Sequence, residues 1–371
     1  MTAGVVIAGG GLAAQRCAEA LRRGGWEGPL RIVGEEAVAP YDRPPLSKGF
    51  LSGDLDPAEI ALRPAGWHAE QGVELLLGDP ASGLDPDRRL LLLASGAALP
   101  FEHLVIATGG RARELPGAAG LVNVHRLRSI DDAARLRAAL LPGARLAVLG
   151  AGLIGQEVAA TASARGVRVT LIEAEPLPLA RALHPRLASW LVDLQRAHGV
   201  DVRLGTRLER LESGDSRLEA LHLSDGSRLE VDALLVAIGV VPATGWVGAD
   251  VHQLARAPHI HVAGDASGAN HWEAAVHQGR AAAGAILGGA APAPALTSWW
   301  SDVHGVRLQG LGDPAGSDAL VVDGDPRGRS FTAVALRRGS PVAALAADRP
   351  RELPRLRKLL TDVHEPTKEA A

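Results

Sequence analysis

Residues 5–14 (VVIAGGGLAA) and 145–160 (RLAVLGAGLIGQEVAA) each set a short apolar run against a glycine spacing that suits phosphate. In the first, Gly9-x-Gly11-x-x-Ala14 follows the run 5–8. In the second, Gly150-x-Gly152-x-x-Gly155, with Ile154 inside the spacing, follows 145–149. The first glycine permits a tight turn, the second lets backbone approach a pyrophosphate, and the small third residue lets helix and strand pack closely. Phosphate then meets a helix N-terminus, where unpaired N–H groups and the helix dipole favour negative charge. A carboxylate closes each unit at the distance that reaches ribose hydroxyls: Glu35 stands 24 residues beyond Gly11, and Glu173 stands 21 beyond Gly152. One such spacing can serve packing alone; two complete copies read as two dinucleotide sites. Glu173 would repel a 2′-phosphate and no arginine follows it at once ("IEAEP"), which favours NADH over NADPH.

The elements that position these residues follow from the pattern. Each glycine spacing opens a helical stretch, and each helix leads to a second apolar strand, ending at Glu35 and Glu173 respectively. Two further segments, 101–113 (FEHLVIATGGRAR) and 231–244 (VDALLVAIGVVPAT), are apolar strands closing on Gly109, after Thr108, and on Gly239. They read as crossings where the chain leaves one domain and returns. A third strand in 258–267 (PHIHVAGDAS) ends on Gly264-Asp265, ahead of a helix over 273–287. An aspartate there can accept from a ribityl hydroxyl, and the helix would aim its positive end at a flavin's pyrimidine oxygen. The expected fold class is α/β, with two Rossmann-like dinucleotide-binding domains followed by a third, C-terminal domain. The boundaries are 1–110 with 232–291 for FAD, 111–231 for NADH, and 297–371 for the third. A proline-alanine hinge is expected over 288–296 and an unstructured tail from 364.

Composition removes several chemistries. The chain of 371 residues carries a formal net charge of −3, so nothing global points to nucleic acid or a membrane surface. Its one cysteine, Cys17, cannot form an internal dithiol or supply an iron–sulfur cluster, and reads as a small apolar filler in the first helix. The 13 histidines show no zinc-binding spacing, and no metal is expected. The N-terminal run lacks a basic region and a cleavage site, which makes the cytoplasm the expected compartment.

The stretch 40–50 (PYDRPPLSKGF) holds the only tyrosine, Tyr41, and one of three lysines, Lys48, in a chain that otherwise writes its basic residues as arginine. With 150–160 (GAGLIGQEVAA), 271–283 (HWEAAVHQGRAAA) and 298–305 (SWWSDVHG), it gives the whole chain a resemblance to the FAD-dependent ferredoxin reductases that serve Rieske oxygenases and cytochromes P450. Apoptosis-inducing factor is a more distant relative. The resemblance implies the fold of two Rossmann-like domains (FAD and NAD) plus a small C-terminal α/β domain. The resemblance implies that Lys48 lies by the flavin and pairs with Glu157, a compact ammonium suiting the ring edge where a planar guanidinium would not. It implies that Trp300 covers the ring, with Trp299 its neighbour, and that Arg43 contacts FAD. Gly9, Gly11, Ala14, Glu35, Thr108, Gly109, Gly264, Asp265, Trp272, Glu273 and Ala275 complete the FAD residues. Gly150, Gly152, Ile154, Gly155, Glu173 and Gly239 hold NADH. Val241 and Ala243 stand where the family usually has arginine and asparagine.

The resemblance also implies the reaction. NADH reduces FAD by hydride transfer at roughly 3–3.5 Å, and electrons leave singly for a separate [2Fe–2S] ferredoxin that feeds an oxygenase. The arginine-rich stretch 326–339 is a candidate face for an acidic ferredoxin. An NADH oxidase or quinone reductase of the same fold needs no further residue. A non-enzymatic nucleotide-binding scaffold is the alternative outside catalysis. Family members are monomers or homodimers.

Overall fold

The computed structural model describes residues 3–269, 271–289 and 296–362. Most of the expected hinge, and the tail from 364, lie outside the described residues. The chain forms two compact units, one of Met1–Arg43, Asp56–Arg111 and Val240–Ala295, the other of Pro44–Leu55, Ala112–Gly239 and Leu296–Ala371.

The first unit is built on a parallel sheet in the order Ile260–Val262, His103–Ile106, Val5–Ala8, Leu30–Gly34, Val73–Leu77. Its central strand, Val5–Ala8, is buried at all four positions, which is why it reads as a continuous apolar run rather than an alternating one. The helix Leu12–Arg23 leaves the glycine turn and packs on the helix Trp272–Ile286. Gly279 allows that approach, since a Cβ there would stand 2.3 Å from the carbonyl oxygen of Ala13. An antiparallel sheet of Ala81–Asp85, Leu90–Leu93 and Ala98–Pro100 completes this unit.

The second unit repeats the parallel arrangement as Asp201–Arg203, Arg168–Ile172, Arg145–Leu149, Ala233–Val236, Val124–His125. It adds an antiparallel sheet in the order Ser298–Val303, Val306–Gly312, Ser340–Ala347, Ser330–Arg337, Ala319–Asp325, closed by the helix Leu353–Asp362. Leu187 and Leu191 of the helix Pro185–Ala197 share one buried cluster with Trp299, Val303 and Phe331. Among the described residues no helix is long and apolar enough to cross a membrane.

Two expected boundaries move. The strand Ala233–Val236 pairs in parallel with Arg145–Leu149, so 232–239 belongs with the second sheet and the crossing falls at 239/240. Residues 44–55, expected with the first domain, pack in the second unit. There the Thr161 hydroxyl donates to the Ser47 carbonyl at 2.8 Å and the Arg165 guanidinium to that of Ser52.

In the first sheet, neighbouring strands bring His103 and His261 together, their rings 5.7 Å apart, with His259 and Arg89 close enough to disfavour further charge. His103 Nδ1 and His261 Nε2 are buried and find no hydrogen-bond partner among the described residues. Burial first, then His103 and His259, pushes His261 down to about 4. The unfolded chain therefore binds more protons than the folded one between about pH 4 and the ordinary histidine value near 6.5, and stability falls as pH drops through that window. His261→Leu is expected to flatten the fall in melting temperature between pH 6.5 and 4. An unchanged slope in the variant would count against this source of acid sensitivity.

Candidate functional site

The two glycine turns are near copies. Gly9 has φ +125° and Gly150 has φ +102°, both in the left-handed half of the map. A Cβ at Gly9 would meet the Ala107 carbonyl oxygen at 2.0 Å, and one at Gly150 would meet that of Ala237 at 2.5 Å. In each unit the turn thus lies against the end of the strand that crosses to the other unit. The second glycines behave differently: around a Cβ added at Gly11 or Gly152 there is nothing within 4 Å. Each is the N-cap of its helix, with no side chain capping it, so the first N–H groups of Leu12–Arg23 and Leu153–Ala164 face open space. Gly155 is where the helix closes on the strand, a Cβ there standing 2.0 Å from the Gly150 carbonyl oxygen. Ala14 fills the equivalent place and is fully buried. An open N-terminal cradle behind a turn with no room for a side chain is what a pyrophosphate requires, and both places have it.

Glu173 follows the strand Arg168–Ile172 and accepts from the backbone of Ala151 at 2.8 Å and of Glu175 at 3.1 Å. Its carboxylate is fixed at the rim of the second cradle with oxygen lone pairs to spare. Gly239 ends the crossing strand at φ +105°, its carbonyl accepting from Arg113 at 3.0 Å. Ile154 lies half-buried in the first turn of the helix, and Glu35 is exposed at the end of Leu30–Gly34.

Glu157, one turn further along the second helix, is a buried carboxylate with three side-chain donors. Its side chain is 6% exposed, and Oε2 is 2.8 Å from Lys48 Nζ. Ser47 also donates to Oε2, and Ser301 Oγ donates to Oε1 at 2.7 Å. Lys48 Nζ additionally reaches the Pro44 carbonyl at 3.2 Å and is 19% exposed. The expected Lys48–Glu157 pair is formed. Sequence reasoning missed the two serines, although both lie inside the quoted stretches PPLSK and SWWSD; their adjacency to Lys48 and Trp300 was the available signal.

In the first unit, Arg43 is held at home. It pairs with Glu36 at 2.8 Å and with the Tyr41 hydroxyl at 3.0 Å, and Tyr41 in turn donates to Glu36 at 2.6 Å. Trp272 Nε1 donates to Asp42 at 2.8 Å. Thr108 Oγ1 donates to the Ala243 carbonyl at 2.8 Å, and the neighbouring Gly109 has φ +71°. Gly264 and Asp265 lie in a short turn pinned by Gln278, whose Oε1 accepts from Gly264 N at 2.8 Å and from Ser267 at 3.0 Å. Gln278 was another residue that sequence reasoning did not single out. Ala275 packs near Gly264, and Glu273 stands in the first turn of the helix Trp272–Ile286, which has no side-chain cap. Trp300 is half-buried, while Trp299 is a core residue, 7% exposed. Cys17 is fully buried, and burial pushes its thiol up to about 12, so it supplies no thiolate.

Residues 3–279 match the model of the pyridine nucleotide-disulphide oxidoreductase family, and residues 298–371 match that of the reductase C-terminal domain. The chain belongs to the pyridine nucleotide-disulphide oxidoreductase family. It is 38% identical to the ferredoxin reductase subunit of a 5,5'-dehydrodivanillate O-demethylase from Sphingobium, over 96% of this chain and 93% of that one. It is 34% identical to the putidaredoxin reductase of Pseudomonas putida, over 96% and 92%. Putidaredoxin reductase in its covalent complex with putidaredoxin superposes with a TM-score of 0.90 at 31% identity, covering 97% of this chain and 93% of that one. The family's name refers to disulphides, yet the only cysteine here is an inert core residue; electrons cannot pass through a disulphide of this chain.

The glycines supply a paired test. Gly152→Ala places its methyl in the open cradle at backbone angles alanine accepts, so the melting temperature should hold while NADH affinity drops about tenfold or more. Gly155→Ala should instead lower stability by about 1–3 kcal/mol through its clash with Gly150. Calorimetric binding and thermal melts on the two variants check this, and equal behaviour would refute the assignment of roles.

Proposed function

We propose that this protein is an NADH-dependent ferredoxin reductase of an oxygenase system, with FAD in the cradle of the first unit and NADH in that of the second. The observation that carries the reading is the pair of open glycine cradles in a chain that matches such reductases over nearly its whole length. Bound FAD would supply the conversion of a two-electron hydride donor to one-electron delivery, which the protein's own groups cannot perform. The acceptor is then a separate [2Fe–2S] ferredoxin, which hands its electrons to a Rieske oxygenase or a cytochrome P450. We place the protein in the cytoplasm, where NADH is supplied.

The chain's own residues bind and orient. Gly9, Gly11 and Ala14, with Glu35 at the ribose, hold the first nucleotide, and the turn of Gly264 and Asp265 holds the ribityl chain. Gly150, Gly152 and Gly155, with Ile154 beside them, hold the second, and Glu173 accepts from its ribose and repels a 2′-phosphate. By the family resemblance Lys48 is the residue that steadies negative charge on a reduced flavin, and here Glu157 fixes its ammonium. The same resemblance gives Trp300 the part of the aromatic that covers the ring. Arg43, Thr108, Gly109, Trp272, Glu273 and Ala275 line the FAD side and Gly239 the NADH side. The arginine-rich stretch 326–339 is a candidate ferredoxin face, on which Asp323 and Asp325 of the strand that pairs with it, and Asp318 beside that strand, make the charge mixed.

An anaerobic visible titration tests the reading. The purified protein should be yellow, and its absorbance should bleach with NADH at far lower concentration than with NADPH. A colourless protein that gains no colour from added FAD would sink it. In the same assay Lys48→Met should keep its colour yet be reduced by NADH about tenfold or more slowly. A rate equal to wild type would remove Lys48 from the reaction.

A further inference from the structure

A line of buried amides runs from the backbone of the second glycine turn to the hairpin that joins Ser298–Val303 to Val306–Gly312. Gln156 and Gln195 are 1% and 0% exposed, and their partners fix which way each amide points. Gln195 Nε2 stands 3.0 Å from the carbonyl oxygen of Gln156, which can only accept, so this amide faces Gln156 with its NH2; the same group donates to Gln156 Oε1 at 2.7 Å. Gln156 is thereby set with its own NH2 toward the Ala151 carbonyl, at 3.3 Å. At the other end Gln195 Oε1 can only accept, so His304 Nε2, 2.8 Å away, carries the ring proton. Every donor points the same way, from His304 through Gln195 and Gln156 to Ala151, the arrangement in which successive hydrogen bonds polarise one another.

His304 is held for this task at a conformational cost. It sits at φ +50° and Gly305 at φ +76°, a two-residue turn whose first place favours asparagine over histidine. Its ring stacks on His198 at 3.9 Å and 8°, and His198 Nδ1 is tied to the Leu194 carbonyl at 2.8 Å. Burial lowers the proton affinity of His304, which keeps the ring neutral and its tautomer single near neutral pH. Ala151 lies between Gly150 and Gly152, and its N–H is already held by Glu173. The two peptides that flank the Ala151 Cα are therefore both fixed, Gly150–Ala151 through its N–H by the carboxylate at the ribose end and Ala151–Gly152 through its carbonyl by the amide line.

We propose that His304, through Gln195 and Gln156, is a positioning residue for NADH: it clamps the Ala151–Gly152 peptide by its carbonyl so that the Gly150–Gly152 turn keeps its pyrophosphate-binding shape. The inference rests on the assignment of NADH to the second cradle and goes beyond it in giving the C-terminal hairpin a part in nucleotide affinity.

The test uses the full-length flavoprotein, calorimetric titration with NAD+ and with ADP-ribose, and thermal melts. His304→Asn suits the turn but is too short to reach Gln195. Gln156→Leu keeps the helix and its volume but removes the last donor. Both should weaken binding of both probes about tenfold, the equivalent of one to two hydrogen bonds, while FAD content and melting temperature stay close to wild type. The double variant should be no weaker than either single one, because the line acts as a unit. Wild-type affinity in both single variants would overturn the proposal and leave the NADH site standing. Failure of the wild-type protein to bind either probe would overturn the NADH site itself, and the clamp with it.

Discussion

A carboxylate cannot be left unpaired in a protein interior, and at buried Glu157 that constraint ties three stretches of the chain together. Removing the partner of a buried charge typically costs about 3–5 kcal/mol, far more than a surface pair is worth. The structure meets the demand with donors from two distant stretches: Ser47 and Lys48 on one oxygen, Ser301 on the other. The helix Leu153–Ala164 is thereby fastened to the segment 44–55 and to the strand Ser298–Val303 at one point. This explains why 44–55 packs in the second unit although it lies in sequence inside the first. It also explains the lysine: a short, three-donor ammonium can share one carboxylate oxygen with a serine while bonding the Pro44 carbonyl, and a broad guanidinium could not.

The same helix carries a second constraint at its start. Its first N–H groups are open to a phosphate because no side chain caps them, and the turn before them is so close to the end of the crossing strand that only glycine fits. The first unit solves the problem identically, with Ala107 in the place of Ala237. An open cradle thus needs a crowded one behind it. The crowding fixes the turn, and the openness leaves the binding free energy of the nucleotide to be spent on affinity rather than on rearrangement.

Much of this was legible in the sequence. The two glycine spacings do open helices and Lys48 does pair with Glu157, because turn chemistry and buried charge act through residue type at fixed spacing. What failed were boundaries set by long-range pairing. The crossing strand 231–244 was read as a return to the first domain, yet strand 103–106 already pairs with 5–8, and by analogy 233–236 had to pair with 146–149. Gln195 and Gln278 were invisible for another reason. Glutamine carries no periodicity, and its importance lies in which buried polar atom it satisfies, a question that only the fold can pose.

The strand Ser298–Val303 shows how closely such polar duties depend on packing. Its alternation puts Trp299, Ser301 and Val303 on one face: the tryptophan and valine enter the cluster with Phe331, and the serine between them reaches Glu157. Trp300 and Asp302 face the other way and are half-exposed. A slip of one residue would bury Trp300 and Asp302 and withdraw Ser301 from Glu157. The register is pinned by a void: Trp299 pairs across the sheet with Gly310, where a Cβ would stand 2.2 Å from the indole ring. Only a glycine opposite lets that ring lie down. Trp299, by filling the space, places Ser301 against the carboxylate and His304 at the turn beyond it. An apolar fit thus sets the position of the polar groups, and the buried charge and the amide line depend on it.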